Sequence, residues 1–259
     1  MSTRLLALTL GALTLGVTLA SAEPIIKPRK YHGPIPQSML WLRVGFMGGA
    51  SNEEMNTYLD GLIQEPFEKT TEDFPSSLVI EAGYGTKPHP QFGFRLNASV
   101  AFLSSTSTGN KPTDEADSLL TVVDYSREFK TELIVLEASG MYFFSDAAVK
   151  EFQSYIGGGF SFGIPHETFS ETQIDIDTGE VFDTIESSEW SFSAGVHALL
   201  GAIYYINNTW GITAEGRMQL MEGRYEQLQA TNEVGDLEDV SFVVDYTGFY
   251  LTVGVLWGF

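Results

Sequence analysis

Phe249-Tyr250-Leu251-Thr252-Val253-Gly254-Val255-Leu256-Trp257-Gly258-Phe259 is the stretch whose reading decides the fold. Phe249, Leu251, Val253, Val255, Trp257 and Phe259 share one face, and Tyr250, Thr252, Gly254 and Gly258 share the other with Leu256. That alternation has the period of a β-strand. Its apolar face carries no charge, and an uncovered row of large apolar side chains invites aggregation unless something apolar receives it. Lipid is such a receiver, and a transmembrane strand needs about 9–11 residues.

Upstream of this stretch the same pattern recurs. Outward sets are Leu40, Leu42, Val44 and Phe46; Leu78, Ile80, Ala82 and Tyr84; and alternate residues from Phe92 to Phe102. Next come Ile134, Leu136, Ala138, Tyr142 and Phe144; Ile156, Phe160 and Phe162; alternate residues from Trp190 to Tyr204; and Trp210, Ile212, Ala214, Met218 and Leu220. With the final strand these make eight, ten being the alternative count, and the connections alternate long and short as in outer-membrane barrels. A soluble barrel would turn its large apolar side chains inward, whereas here the opposite face bears Arg, Glu, His, Ser and Gly. Trp190, Trp210, Trp257, Tyr84, Tyr142 and Tyr204 fall near strand ends, where aromatic girdles meet the bilayer interfaces. Residues 39–259 are therefore expected to form an all-β, eight-stranded, antiparallel, up-and-down transmembrane β-barrel.

The N-terminal portion reads differently. Arg4, the uncharged run from Leu5 to Ala20 and the small residues Ala20 and Ala22 have the layout of a signal peptide over residues 1–22, cleaved after Ala22. As an uncleaved anchor the run falls short of the ~20 residues a spanning helix needs. Residues 23–38 hold Pro24, Pro28, Pro34 and Pro36 with Lys27, Arg29 and Lys30, a Pro-rich basic periplasmic lead-in. After the first strand, Ser51 and Glu54 have capping-box spacing. Met55, Tyr58, Leu59, Leu62 and Ile63 follow at helical spacing, predicting a short helix in the first extracellular loop. The chain has no cysteine, so no disulfide framework supports it.

The signal-peptide layout ending at Ala20 and Ala22, the eight alternating segments and the final strand ending in Phe259 together resemble the small bacterial outer-membrane barrels of the OmpA, OmpX and OmpW type. The resemblance implies a place in the outer membrane among outer-membrane lipid and lipopolysaccharide. It also implies that Phe249, Leu251, Val253, Val255, Trp257 and Phe259 form the signal read by the barrel-assembly machinery. It is specific for class and silent on activity, since unrelated functions share such barrels.

The formal net charge is −20. The acidic excess falls in the connections 51–76, 104–130, 165–189 and 230–241, whose only bases are Lys69, Lys111, Arg127 and Lys130. Such loops disfavour nucleic acid and favour divalent cations or basic partners, although Asp175-x-Asp177-x-Gly179 lacks the rest of a calcium-loop spacing. By strand parity Arg43, Glu81, Arg95, Glu137, Glu215 and Arg217 point inward at similar heights, with His197 near them. An eight-stranded barrel has room inside for side chains alone, so these residues are expected to form a lumen charge network; an ion or proton path is the alternative. For nucleophilic catalysis, Ser193 and His197 share a face but stand roughly 13 Å apart along a strand, and His166 beside Glu167 has no serine that the sequence places near it. No catalytic, cofactor or metal residue is assigned. The expected protein is a monomer with an occluded lumen in a structural or surface-interaction role. The alternatives are a narrow conduit for small solutes or ions and, third, a lipid-modifying or proteolytic barrel.

Overall fold

The computed structural model describes residues 37–51, 53, 57, 69–71, 74–112, 122–144, 152–175, 178–231 and 237–259. The strands are β1 (Ser38–Gly48), β2 (Lys69–Thr71), β3 (Ser77–His89), β4 (Phe92–Pro112), β5 (Val122–Phe143), β6 (Phe152–Asp175), β7 (Val181–Trp190), β8 (Ser193–Tyr205), β9 (Trp210–Thr231), β10 (Leu237–Asp245) and β11 (Gly248–Gly258). A ring runs β1-β3-β4-β5-β6-β8-β9-β11 and returns to β1, every neighbour antiparallel. The seam is the pairing of β1 with β11, in which Leu40 faces Trp257 and Phe46 faces Leu251. Closure removes the edges that an open sheet would leave to aggregate.

The outer wall is apolar. Leu42 is 54% exposed, Leu96 63% and Phe160 65%, values that only a hydrocarbon solvent makes favourable when repeated around a ring. This band covers Leu40–Phe46, Leu78–Tyr84, Phe92–Phe102, Ile134–Phe144, Phe152–Ile164, Ala194–Tyr204, Trp210–Leu220 and Leu251–Phe259. These are the membrane-spanning segments, seven to thirteen residues each, around the ~9–11 tilted residues that cross a bilayer. At one end of the barrel the connections are tight. Asn207 Oδ1 accepts hydrogen bonds from the backbone N–H groups of Thr209 and Trp210, both at 2.8 Å, and closes the β8–β9 turn.

At the other end the strands do not stop at the band. β4, β5, β6 and β9 run to 21, 22, 24 and 22 residues. β2 pairs with β4, β10 with β9, and β7 with β6. β7 takes over along β6 where β8 leaves it: Ser193 pairs with Gly163, and Trp190 with His166. The β6–β7 hairpin sets Thr172 opposite Thr184, with Gly179 in the left-handed region at φ 70°.

Three sequence expectations change. The connections 104–130, 165–189 and 230–241, read as loops, are largely strand. Trp190, read as the start of the sixth ring strand, ends β7, and Ser191 and Phe192 separate it from β8. Glu167, Glu171 and Arg127, counted among the solvated loop charges, are buried inside the wall. The helix expected at Met55, Tyr58, Leu59, Leu62 and Ile63 lies outside the described residues, as does the signal peptide with Ala20 and Ala22; Ser51 Oγ does accept the Glu53 N–H at 3.2 Å.

The cause of these three changes is an inversion of polarity at unchanged parity. Within the band β5 turns Leu136 and Ile134 outward and Glu137 and Ser139 inward; beyond it Glu132, Lys130 and Glu128 face out while Leu133, Phe129 and Tyr125 face in. β9 does the same, passing from Ile212 outside and Glu215 inside to Glu222 outside and Met221 and Tyr225 inside. Lipid outside demands an apolar exterior, and water outside demands an apolar interior.

Candidate functional site

The interior divides into three layers along the axis. Nearest the tight turns, Met39, Trp41, Met141, Phe143, Tyr155, Leu199, Ile203, Tyr205 and Leu256 form an apolar floor. Toward the long-strand end a second apolar cluster, including Met47, Leu133, Val135, Phe129, Phe169, Tyr225, Tyr246 and Tyr250, forms a roof. Between them lies a belt of charge.

Period two places each belt residue. Alternation on β1, β3, β4, β5 and β9 sends Arg43, Glu81, Arg95, Glu137, Glu215 and Arg217 inward, and all six are buried. The register then brings them to one height, since Arg43 pairs with Glu81 across β1 and β3. Arg43 ion-pairs through Nε with Glu81 and through Nη1 with Glu215 Oε2 at 2.8 Å. Arg95 Nη1 reaches the same Glu215 oxygen at 2.5 Å. Arg217 Nη1 bridges Glu81 Oε2 at 3.1 Å and Glu137 Oε2 at 2.6 Å. Three guanidinium groups and three carboxylates thus form one connected set, which satisfies the requirement that buried charges be paired.

Neutral residues complete it. Asn97 Nδ2 donates to Glu81 at 3.2 Å and to Glu137 at 3.0 Å, Tyr155 donates to Glu215 at 2.8 Å, and Thr252 to Glu81 at 3.1 Å. The sequence gives these residues the correct face but no reason to single them out, because an inward Asn, Tyr or Thr carries no charge signal. His197 lies at the belt's edge, 3.9 Å from Glu137 Oε1, with Ser139 Oγ 2.8 Å from Nε2 and Ser161 Oγ 2.8 Å from Nδ1. Its serines are therefore on β5 and β6 rather than Ser193 on its own strand. Ser139 Oγ is further occupied by the Arg95 Nε–H at 3.1 Å. A void that reaches the belt from the floor is about 10 Å³, lined by Trp41, Arg43, Arg95 and Tyr155 among others, space on the scale of a single water rather than a substrate. His166 sits outside, stacked on Trp190 at 4.2 Å. Among the described residues no three His, Asp or Glu side chains converge as a metal site.

A fourth group occupies the roof, beyond the membrane-spanning segments. Glu167 is fully buried, one carboxyl oxygen accepts the Thr131 hydroxyl, and the hydroxyls of Tyr225 and Tyr246 lie 2.6 Å apart nearby. Burial pushes the Glu167 carboxyl up to about 8, against the Thr131 hydrogen bond, which pulls it down. Farther out, Arg127 Nε pairs with Glu171 Oε2 at 2.6 Å.

Eight antiparallel strands closed on themselves, an apolar exterior and a charged interior define the class: the chain has the fold of a small bacterial outer-membrane β-barrel. Its sequence matches no protein-family model and no curated protein. Among solved structures it is similar to the outer membrane protein OprG from Pseudomonas aeruginosa, at 14% identity over 87% of this chain and 97% of that one, TM-score 0.46. It is also similar to Neisserial surface protein A, at 12% identity over 88% and 100% of the chains, TM-score 0.39. A third is the outer membrane protease OmpT from Escherichia coli, at 9% identity over 86% and 96%, TM-score 0.32.

Proposed function

We infer that this is a non-catalytic outer-membrane barrel with an occluded lumen, which anchors an outward-projecting β-sheet in a structural or surface-interaction role. The observation that carries the reading is the ion-paired belt held between two layers rich in apolar side chains, with the void beside Trp41, Arg43 and Arg95 only about 10 Å³ among the described residues. By the rule that periplasmic turns are short and extracellular connections long, the tight turns and the β1 and β11 termini face the periplasm and the extended strands face outward. Outer-membrane lipid contacts the apolar band, and lipopolysaccharide surrounds its outer rim. Refolded protein in planar bilayers is expected to give no conductance. Discrete steps that change on Glu137→Gln would replace this reading with a narrow channel. Lipid or peptide turnover abolished by His197→Ala would replace it with an enzyme.

The outward row Phe249, Leu251, Val253, Val255, Trp257 and Phe259 on β11 suits recognition by the assembly machinery, because it is apolar, faces out and lies on the strand that pairs with β1 at the seam. Phe259→Glu is expected to lower outer-membrane yield severalfold while changing urea stability of detergent-refolded protein by less than about 1 kcal/mol, since the residue is 60% exposed. Equal losses in yield and stability would contradict that separation.

A further inference from the structure

We propose that Glu167 is a proton-operated latch on the outer end of the lumen: its neutral carboxyl keeps the aromatic roof shut, and loss of the proton loosens the roof and lets water in. This rests on the occluded-lumen reading. The geometry that points to it is a carboxyl with 0% exposure in a layer of Phe129, Phe169, Tyr225 and Tyr246, holding one hydroxyl bond and, among the described residues, no hydrogen-bond partner for Oε1.

Among the described residues, the groups facing it from each packed element offer no cation. From β5 come Thr131, which donates to it, and Phe129. From β7 comes Glu189, paired with it in register, whose own Oε1 accepts the Glu226 N–H at 3.2 Å. From β9 comes Tyr225, and from the segment before β11 Tyr246, whose hydroxyls burial and then the Glu167 charge both push upward. On β6 itself the next inward acid, Glu171, engages Arg127, the nearest inward base along the neighbouring strand. An ionised Glu167 would therefore sit uncompensated in an apolar layer, which is among the costliest arrangements a fold can hold. The direction follows. Between the ordinary carboxyl value of 4.5 and the folded value of about 8, the folded state keeps a proton that the unfolded chain releases, so roof stability falls as pH rises through that window.

The chain has no cysteine, so a single introduced thiol reports cleanly. Val135→Cys places one on the inner wall, in the belt-side part of the roof, and Ser188→Cys places one on the exposed face of β7 as a reference. Labelling by a charged methanethiosulfonate is followed in refolded barrel from about pH 6.5 to about 9.5 as the ratio of the two rates, and each ratio is read against that in Glu167→Gln, whose buried thiol has the same surroundings and so the same burial-raised pKa. The ratio is expected to be small at the acid end and to rise about tenfold per pH unit at most through the transition, as a single proton requires. In Glu167→Gln it should stay low throughout. Thr131→Val, which removes the bond favouring the ionised form, should move the transition to higher pH. A ratio that is flat in the parent, or that rises equally in Glu167→Gln, overturns the latch and leaves the occluded lumen standing. Rapid labelling at every pH overturns the occluded lumen itself.

Discussion

Glu215→Leu should destabilise the barrel by about 3–5 kcal/mol, the scale on which removing one partner of a buried ion pair is felt. A single oxygen of this residue takes Arg43 at 2.8 Å, Arg95 at 2.5 Å and the Tyr155 hydroxyl at 2.8 Å. Leucine fills the space and accepts nothing, so two guanidinium groups and a phenol lose their shared acceptor at once. Neither arginine can reach water past the floor and roof layers, which is why the loss exceeds that of a surface pair. Lys130 and Glu128, 2.8 Å apart but 59% and 38% exposed, provide the contrast. Glu128→Leu should cost at most about 1 kcal/mol. Urea unfolding of the refolded barrel, read by tryptophan fluorescence, measures both. Equal small effects would show that the belt is hydrated rather than dry.

Trp41→Ala should cost a similar ~3–5 kcal/mol, by leaving a large void where an aromatic side chain was packed. Trp41 lies across the floor on a bed made by two glycines: a Cβ at Gly83 would meet its ring at 2.5 Å and one at Gly85 at 2.8 Å. Its Nε1–H donates to Asn97 Oδ1 at 3.0 Å, and the Arg43 and Arg95 guanidinium groups stand 5.3 and 6.0 Å from its ring centroid. Removal thus bares Asn97, strips two cations of an aromatic face and merges the new space with the small void beside Arg43. Gly83→Ala tests the same packing from the other side. It should be harmful alone and much less so on the Trp41→Ala background, a coupling that a double-mutant cycle in urea isolates. Additive costs would mean that ring and glycine do not share the space.

The contrast between these two residues marks how much was legible in the sequence. Arg43, Glu81, Arg95, Glu137, Glu215 and Arg217 could be assigned to one inward set because charge against an apolar lipid face is a strong contrast on a period-two strand. Trp41 shares that inward face, but nothing in sequence ties it to Gly83 and Gly85 on β3, since the register between strands is a tertiary property. The outer halves of β4, β5, β6 and β9 were hidden for a different reason. A reader who demands an apolar outward face stops at Phe102 and Ile134, where Ser104, Thr106, Glu132 and Lys130 take over, although the alternation itself continues inward through Leu103, Leu133 and Phe129. Glu167 was hidden with them, counted as one more loop acid until β6 carried it inside.

The continued wall has a mechanical consequence. At roughly 3.3 Å per residue and a tilt near 40°, the 21 residues of β4 rise about 50 Å, against about 30 Å of hydrocarbon, so the wall extends some 20 Å beyond the hydrocarbon as a stiff chimney. A partner reaching the β6–β7 face would meet hydroxyl rows held in place by hydrogen-bonded backbone, Thr168, Ser170 and Thr172 beside Thr184 and Ser188. Binding there would forgo the entropy that loops surrender, and its geometry would be set by sheet twist.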